Sequence, residues 1–113
     1  MTTPLHLFKL LADDTRLNAV VLLHTEGELC VCELVEALEE SQPKVSRHLA
    51  QLRSGEILKT DRRGQWIYYS LSDELEPWVK KIIQAAAEGK STELEQLKLN
   101  LQRMRVDTNC CAS

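Results

Sequence analysis

Aromatic side chains are scarce in this chain of 113 residues, of which they make up 4%. The five are Phe8, Trp66, Tyr68, Tyr69 and Trp78. A sheet that stacks RNA bases, or a pocket lined with aromatic rings, needs more of them, so the composition argues against both. Hydrophobic content is 43%, ordinary for a globular protein, and the length suits one compact domain.

Long apolar runs and an export signal are lacking too. No run approaches the roughly 18 residues that a membrane span needs. The start, MTTPLHLFKLLADDTR, becomes acidic after a few residues and offers no small-residue cleavage site. We therefore expect a cytoplasmic protein with no membrane partner.

One stretch of the chain has an excess of basic residues, although the formal net charge of the whole chain is −3. Residues 44–63 contain six basic and two acidic side chains, so this block carries +4 and the rest of the chain −7. Because phosphate contacts are local, a basic patch on an acidic body suits a small DNA-binding protein. A solvated charged surface would have the same composition.

The four cysteines form two close pairs, Cys30 with Cys32 and Cys110 with Cys111. In a reducing compartment such pairs bind soft metals or sense redox state more often than they form structural disulfides. A thiol enzyme is disfavoured, because the chain lacks a CxxC motif, a βαβ pattern and an acid/base constellation.

Helical periodicity runs through the first half of the chain. Apolar spacings of three and four predict helices over about 4–11, 13–25, 29–40 and 42–54. The short turn between the last two predicts a helix-turn-helix.

The second half begins with a change of period. Residues 57–60 and 66–71 are rich in β-formers, which predicts a hairpin with Asp61-Arg62-Arg63-Gly64 as its turn. Helical spacing returns over about 72–88 and from about residue 92. The last helix has a narrow apolar seam of coiled-coil type, formed by Leu94, Leu97, Leu101 and Met104.

The predicted helix over 42–54 has a polar face that suits base edges and phosphates. Together, the helix-turn-helix and the basic hairpin describe a winged helix-turn-helix, mainly α with a small β-hairpin, that binds double-stranded DNA. The candidate DNA-binding residues are Gln42, Lys44, Ser46, Arg47, His48 and Gln51 on the helix, and Arg62 and Arg63 on the wing. We expect this domain to span residues 1–106, before a flexible Cys-containing tail at 107–113.

The stretch ELCVCELVEALEESQPKVSRHLAQLRSGEIL closely resembles the ArsR/SmtB family of metal-responsive repressors, and most of all its arsenic- and antimonite-responsive branch. The resemblance extends to LFKLLADDTRLNAVVLL before it and RRGQWIYYSL after it. It implies a homodimer, joined by its first and last helices, that binds a palindromic operator. It further implies repression of a resistance operon, with release of the DNA when arsenite or antimonite binds.

The family's paired cysteines match Cys30 and Cys32, so the resemblance implies that these thiols bind the metalloid. Soft ligands select soft centres, and a helix N-terminus favours the thiolate. Two positions apart on an ideal helix, the side chains would point about 200° apart. We therefore hypothesise that chelation distorts the first turn of the helix and displaces the recognition helix behind it.

One position departs from the family pattern. Members of the arsenic branch often carry a third cysteine where this chain has Val35. Either two thiols suffice, or Cys110 or Cys111 supplies the third from its own subunit or the partner. The tail cysteines could equally have no role. No permanent cofactor is expected.

The sequence matches the zinc-sensing and the cadmium- and lead-sensing members of the family less well. The zinc site of the family needs a histidine beside Asp73, Glu74 and Glu76, and none is present. Cadmium and lead members usually add cysteines before Cys30, which this chain lacks. A repressor of the same fold that senses thiol oxidation remains the alternative.

Overall fold

The computed structural model describes residues 2–107, which form six helices and a three-stranded antiparallel sheet. The helices are α1 (Pro4–Leu11), α2 (Asp14–Glu26), α3 (Val31–Leu38), α4 (Gln42–Ser54), α5 (Pro77–Gly89) and α6 (Ser91–Asp107). The strands are β1 (Glu28–Cys30), β2 (Leu58–Arg63) and β3 (Trp66–Leu71), in the order β1-β3-β2. This order of elements confirms the predicted winged helix-turn-helix.

The early helices begin and end at the residues that local chemistry predicts. Thr3 Oγ1 accepts the amide of His6 at 3.2 Å, and Asp13 Oδ1 accepts that of Arg16 at 3.0 Å. These side chains satisfy N–H groups that have no partner within the first turn of a helix. Gly27 has φ of 90°, a conformation that glycine adopts without a steric penalty, and it ends α2. The bounds of α1 and α4 are as predicted, and α2 differs by one residue.

The start of α3 is where the prediction was wrong. Residues 28–30 form β1, not helix, and pair with β3 in the register Glu28↔Ser70, Leu29↔Tyr69, Cys30↔Tyr68. Three residues are too few to show a strand period. The pairing partner lies about 40 residues away, so local pattern cannot show it. The thiol pair therefore lies at a strand–helix junction.

The hairpin extends further than its sequence suggested. Arg62 and Arg63 belong to β2, where they pair with Ile67 and Trp66, so the turn is at Gly64 and Gln65. A two-residue turn with Gly64 at φ of 63° matches the twist of the strands. The arginines lie at the end of the wing strand, not in its turn.

Helix α5 begins at Pro77, five residues later than predicted. Glu76 is extended at the N-cap position, and proline fits only the first turn of a helix. The amide of Ser72 instead donates to the carbonyl of Ile57 at 2.9 Å, which extends the contact between the wing and the body. No helix within residues 2–107 is both long and apolar enough to cross a membrane.

The apolar seam of α6 lies in the core of its own chain. Leu94, Leu97, Leu101 and Met104 are each at most 8% exposed and belong to the same cluster as Leu34 of α3. Among these side chains lies one buried amide, Asn100, which is 3% exposed. Its Nδ2 donates to the carbonyl of Ala37 at 3.0 Å, so α6 is joined to α3 by a buried hydrogen bond as well as by apolar packing.

Replacing Asn100 with alanine is expected to lower the free energy of unfolding by about 1–3 kcal/mol, because the carbonyl of Ala37 would stay buried without its donor. Urea denaturation at one fixed protein concentration measures the change. Gln102→Ala, at an exposed position of the same helix, is the matched control and should stay within about 0.5 kcal/mol of the unmodified protein. Equal stability of the two variants would contradict the structural role of Asn100.

Candidate thiol site and nucleic-acid interface

Cys30 and Cys32 lie on either side of the point where β1 becomes α3. Cys30 is the last residue of the strand and the N-cap of the helix, with extended backbone angles of φ −84° and ψ 168°. Its side chain is 1% exposed, whereas that of Cys32 is half-buried. Both sulfurs therefore lie at the N-terminal end of α3.

The two sulfur atoms are in direct contact, 3.1 Å apart. The expectation that they point about 200° apart was wrong, because Cys30 is an extended N-cap and not a residue of the helical turn. Metal–sulfur bonds of about 2.3 Å at roughly 90–110° separate two sulfurs on one centre by about 3.3–3.8 Å. The thiols can therefore hold one small atom without unwinding of the helix.

A carboxylate and a guanidinium connect this junction to the far end of α6. Glu33 Oε1 accepts the amide of Cys30 at 3.1 Å, and its Oε2 accepts Arg105 Nε at 3.1 Å. Arg105 also lies 3.6 Å from Glu26 at the end of α2. Glu33 is 13% exposed and Arg105 46%, so the pair lies at the surface with its carboxylate partly covered.

The wing is joined to the same junction through β1. Arg63 donates to both oxygens of Glu28, at 2.8 and 2.7 Å, and to Asp61 at 3.0 Å. Its guanidinium also lies 4.5 Å from the centre of the Tyr68 ring. The hydrogen bonds to Glu28 and Asp61 raise the pKa of Arg63 above its ordinary value. Arg63 is thus held against the strand that carries Cys30.

Arg62 has a different environment at the neighbouring position. Its Nε donates to the carbonyl of Gly64 at 3.1 Å, and the side chain is exposed. Successive residues of a strand face opposite sides of the sheet, so Arg62 and Arg63 point away from each other. Both arginines are exposed, but Arg63 is bound by two carboxylates, Glu28 and Asp61.

The exposed face of α4 contains most of its predicted DNA-binding residues. Gln42 and Arg47 are exposed, and Lys44 and Ser46 are half-buried. Lys44 lies 3.1 Å from Glu40 one turn earlier, an exposed pair of the kind that contributes little. The N-cap Ser41 makes no side-chain capping bond, so the first amides of α4 keep their capacity to bind an anion.

His48 does not lie on this exposed face. It is 7% exposed, and its ring contacts Arg16 at 3.1 Å and Gln51 at 3.3 Å, with Asp13 at 3.8 Å. The helical wheel misplaced His48 because α2, a separate element, covers that flank. His48 joins α4 to the start of α2 and is not positioned to meet DNA.

Arg16 is the centre of this cluster. It donates to Gln51 Oε1 at 2.9 Å and to the carbonyl of Leu10 at 2.6 Å, so it ties α4 to α1 and α2. The amide of Arg16 lowers the pKa of Asp13, and the nearby charges of His48 and Arg16 act in the same direction. Gln51, predicted to contact DNA, is exposed but already accepts a hydrogen bond from this arginine. No signal within α4 could have revealed the cluster.

The second cysteine pair, Cys110 and Cys111, lies outside the described residues. Within residues 2–107, no group of three or more Cys, His, Asp or Glu side chains is arranged to hold a metal ion. Cys30 and Cys32 remain the candidate soft ligands among the described residues.

Comparisons with known proteins place the chain in a family. The family described as "Bacterial regulatory protein, arsR family" matches residues 13–60, from the N-cap of α2 into β2. The chain is 48% identical to the arsenic resistance transcriptional regulator ArsR2 of Pseudomonas putida. The aligned region covers 98% of this chain and 100% of ArsR2.

Two further relatives extend the likeness. The chain is 47% identical to an arsenical resistance operon repressor of Escherichia coli K12. The aligned region covers 88% of this chain and 86% of that repressor. Among solved structures, the antimony-specific transcriptional repressor AntR superposes with a TM-score of 0.63 at 34% identity. That match covers 80% of this chain and 78% of AntR.

Proposed function

The chain belongs to the ArsR family of bacterial regulatory proteins, and we propose that it represses an arsenic-resistance operon and leaves its operator DNA when trivalent arsenic or antimony binds. It is a DNA-binding regulator and not an enzyme. The observation that carries the proposal is the contact of the Cys30 and Cys32 sulfurs at the junction between β1 and α3. Keeping these thiols reduced requires a reducing compartment, which is consistent with the cytoplasm.

Arsenite and antimonite suit this site because they are soft centres that exchange hydroxide for thiolate. The sulfurs, now 3.1 Å apart, must separate by a few tenths of an ångström to share one centre. Cys30 pairs with Tyr68 of the wing, and Cys32 lies in the helix that precedes α4. We infer that bridging the thiols shifts β1 relative to α3, and that packed elements amplify this shift into a displacement of the wing and α4.

The proposed DNA surface consists of the α4 face and one wing residue. Gln42, Lys44, Ser46 and Arg47 would meet base edges and phosphates in the major groove, and Arg62 would meet the backbone beside it. His48, Gln51 and Arg63 are committed to contacts within the chain, so we assign them the role of holding the reading elements in place.

A homodimer bound to a palindromic operator is the assembly we propose. Large apolar side chains are exposed on the first and last helices: Leu5 is 65%, Phe8 52% and Leu99 56% exposed. Exposed apolar residues in such positions favour association. A two-fold dimer would present two copies of α4 to two half-sites.

Arsenite is expected to release the reduced protein from DNA taken from upstream of its own gene, and Cys30→Ser or Cys32→Ser is expected to abolish that release. Fluorescence anisotropy of labelled DNA, titrated with arsenite, measures it. Thr25→Ser, a change of one methyl group on α2, is the control and should respond like the unmodified protein. Release that persists in both cysteine variants would contradict the proposed sensor.

The two wing arginines are expected to differ in their salt dependence. Arg62→Gln should reduce the slope of log affinity against log salt by about 1, because one phosphate contact is lost. Arg63→Gln should leave the slope unchanged, since Glu28 and Asp61 already neutralise this cation. Binding isotherms at several salt concentrations measure both slopes. A reduced slope for Arg63→Gln with none for Arg62→Gln would reverse the assignment.

Phe8→Asp and Leu99→Asp are each expected to shift the protein from dimer to monomer, because each places a charge where apolar surface would be buried. Light scattering during gel filtration gives the mass. Ile67→Asp is the matched control: Ile67 is an apolar side chain 41% exposed, but it lies on the wing. Dimers retained in both α1 and α6 variants would contradict this interface.

A thiol-redox repressor is the second candidate, and the 3.1 Å sulfur contact favours it as well. Oxidation would join the two sulfurs in a disulfide of about 2.05 Å and shorten the junction, whereas a metalloid would lengthen it. Treating the DNA complex with hydrogen peroxide in place of arsenite separates the two. Release by peroxide alone would favour the redox function.

A further inference from the structure

We propose that the groove between α1 and the C-terminal half of α4 binds a phosphate group of the DNA backbone, with His6 and Lys9 as its contacts on α1. This inference rests on the DNA-binding function proposed above. It adds a third element, α1, to the α4 face and the wing. The observation behind it is a groove of about 340 Å³ that basic side chains line beside the proposed reading face.

The walls of the groove supply the groups that bind phosphate. His6 and Lys9 of α1 form one wall, and both side chains are exposed. Gln51 and Ser54 of α4 form the other, and Arg16 at the start of α2 also lines the groove. Lysine, arginine, serine and glutamine side chains are among those that contact phosphate oxygens in protein–DNA complexes. The groove therefore has the donors that a phosphate site needs.

The positive charge of the groove is not cancelled by ion pairs. Arg16 donates to two backbone carbonyls of α1 and to Gln51 Oε1, which are uncharged acceptors. Among the described residues, no ion pair includes the side chains of His6, Lys9 or Arg16. The carboxylate of Asp13 accepts the amide of Arg16 at 3.0 Å, but Asp13 does not line the groove. The two permanent cations therefore leave the groove positive.

A glycine at the end of α4 sets the distance between the two walls. A Cβ at Gly55 would lie 2.5 Å from Cδ1 of Leu10 and 3.1 Å from Nε2 of His6. A larger residue would force the Leu10 side chain or α1 itself to move. Because position 55 has no side chain, α1 packs closely on the end of α4 and places the imidazole of His6 beside it.

The groove continues the exposed stripe of α4 that begins at Arg47. Arg47, Gln51 and Ser54 follow each other by four and three residues, so they share one face of the helix, and all three are exposed. At about 1.5 Å per residue the stripe is about 10.5 Å long. Duplex DNA carries one charge per about 1.7 Å of its axis, so more than one phosphate can lie along it. This continuity favours a backbone phosphate over a free anion as the ligand.

The exposed side chains of α1 form two flanks of different chemistry. Leu5 and Phe8 are the apolar side chains that we assign to the dimer interface. His6 and Lys9 lie on average about 100° further around the helix, at 100° per residue. A dimer formed through the apolar flank would therefore leave the basic flank open to DNA.

The salt dependence of operator binding by the full chain tests the phosphate contact. Lys9→Gln should lower the slope of log affinity against log salt by about 0.9, the value for one neutralised phosphate. It should weaken binding to the operator and to unrelated duplex DNA by the same factor, because a phosphate contact carries no sequence information. Lys81→Gln, at an exposed lysine of α5, is the matched control and should leave the slope unchanged. An unchanged slope for Lys9→Gln would overturn the inference.

DNA with single neutral phosphates locates the contact on the backbone. Methylphosphonate substitution removes the charge of one phosphate at a time. At the phosphate in the groove, this substitution should weaken binding of the unmodified protein and have little further effect on Lys9→Gln, because both changes remove the same contact. Arg62→Gln should lose its sensitivity at a different phosphate. Sensitivity that Lys9→Gln retains at every phosphate would contradict the assignment.

Inorganic phosphate added to the DNA-free protein distinguishes a backbone site from a site for a free anion. Amide NMR shifts of residues 6–9 and 51–55 report occupancy of the groove. We expect no saturable shift at the salt concentrations at which DNA binds, since a free phosphate lacks the contacts that hold the backbone along α4. Saturable binding that Lys9→Gln abolishes, with an unchanged salt slope for DNA, would assign the groove to a free anion and overturn the proposal.

These results are distinguishable from failure of the proposed function. If Arg62→Gln lowers the salt slope and Lys9→Gln does not, DNA binding stands and the α1 contact is wrong. If the unmodified protein does not bind duplex DNA, both are wrong.

Discussion

The pairing of β1 with β3 is the constraint on which the rest of the structure depends. It holds Cys30 extended, at 1% exposure, so that its sulfur meets that of Cys32 across the start of α3. The same three residues make the wing continuous with the thiol pair, and α3 leads within three residues to α4. One short strand therefore connects the proposed thiol site with the wing and with α4, which we propose to touch DNA.

Charged side chains also connect the elements around this junction. The block from Lys44 to Arg63 is basic, yet its cations have different roles. All three of Arg47, Arg62 and Arg63 are exposed, but Arg63 is bound by Glu28 and Asp61 and joins the wing to β1. On the other side of the junction, Arg105 joins Glu33 to Glu26. A chain with a net charge of −3 can thus have a local positive surface. Arg63 and Arg105 form ion pairs that join separate elements.

Most of the fold could be predicted from local sequence, because α1 and α2 begin at side-chain caps and α4 has an apolar stripe. The errors share one cause. Strand β1 forms because residues 28–30 pair with residues 68–70 of β3. His48 is covered by its contacts with Arg16 and Asp13. Arg63 is bound by Glu28, which lies 35 residues away in the sequence. Each is decided by a partner distant in sequence. The candidate thiol pair was chosen by residue type, but its geometry depends on the unpredicted strand, so the expectation that the two side chains point apart was wrong.

Hydrogen exchange of the reduced, DNA-free protein, with and without arsenite, tests whether the signal passes through the strand–helix junction. We expect altered amide protection in β1, in the β3 residues paired with it and in the first turn of α3, and no change in the Cys30→Ser variant. Arsenite that releases DNA while leaving the protection of these amides unchanged would contradict this expectation, since the signal would then bypass the strand–helix junction.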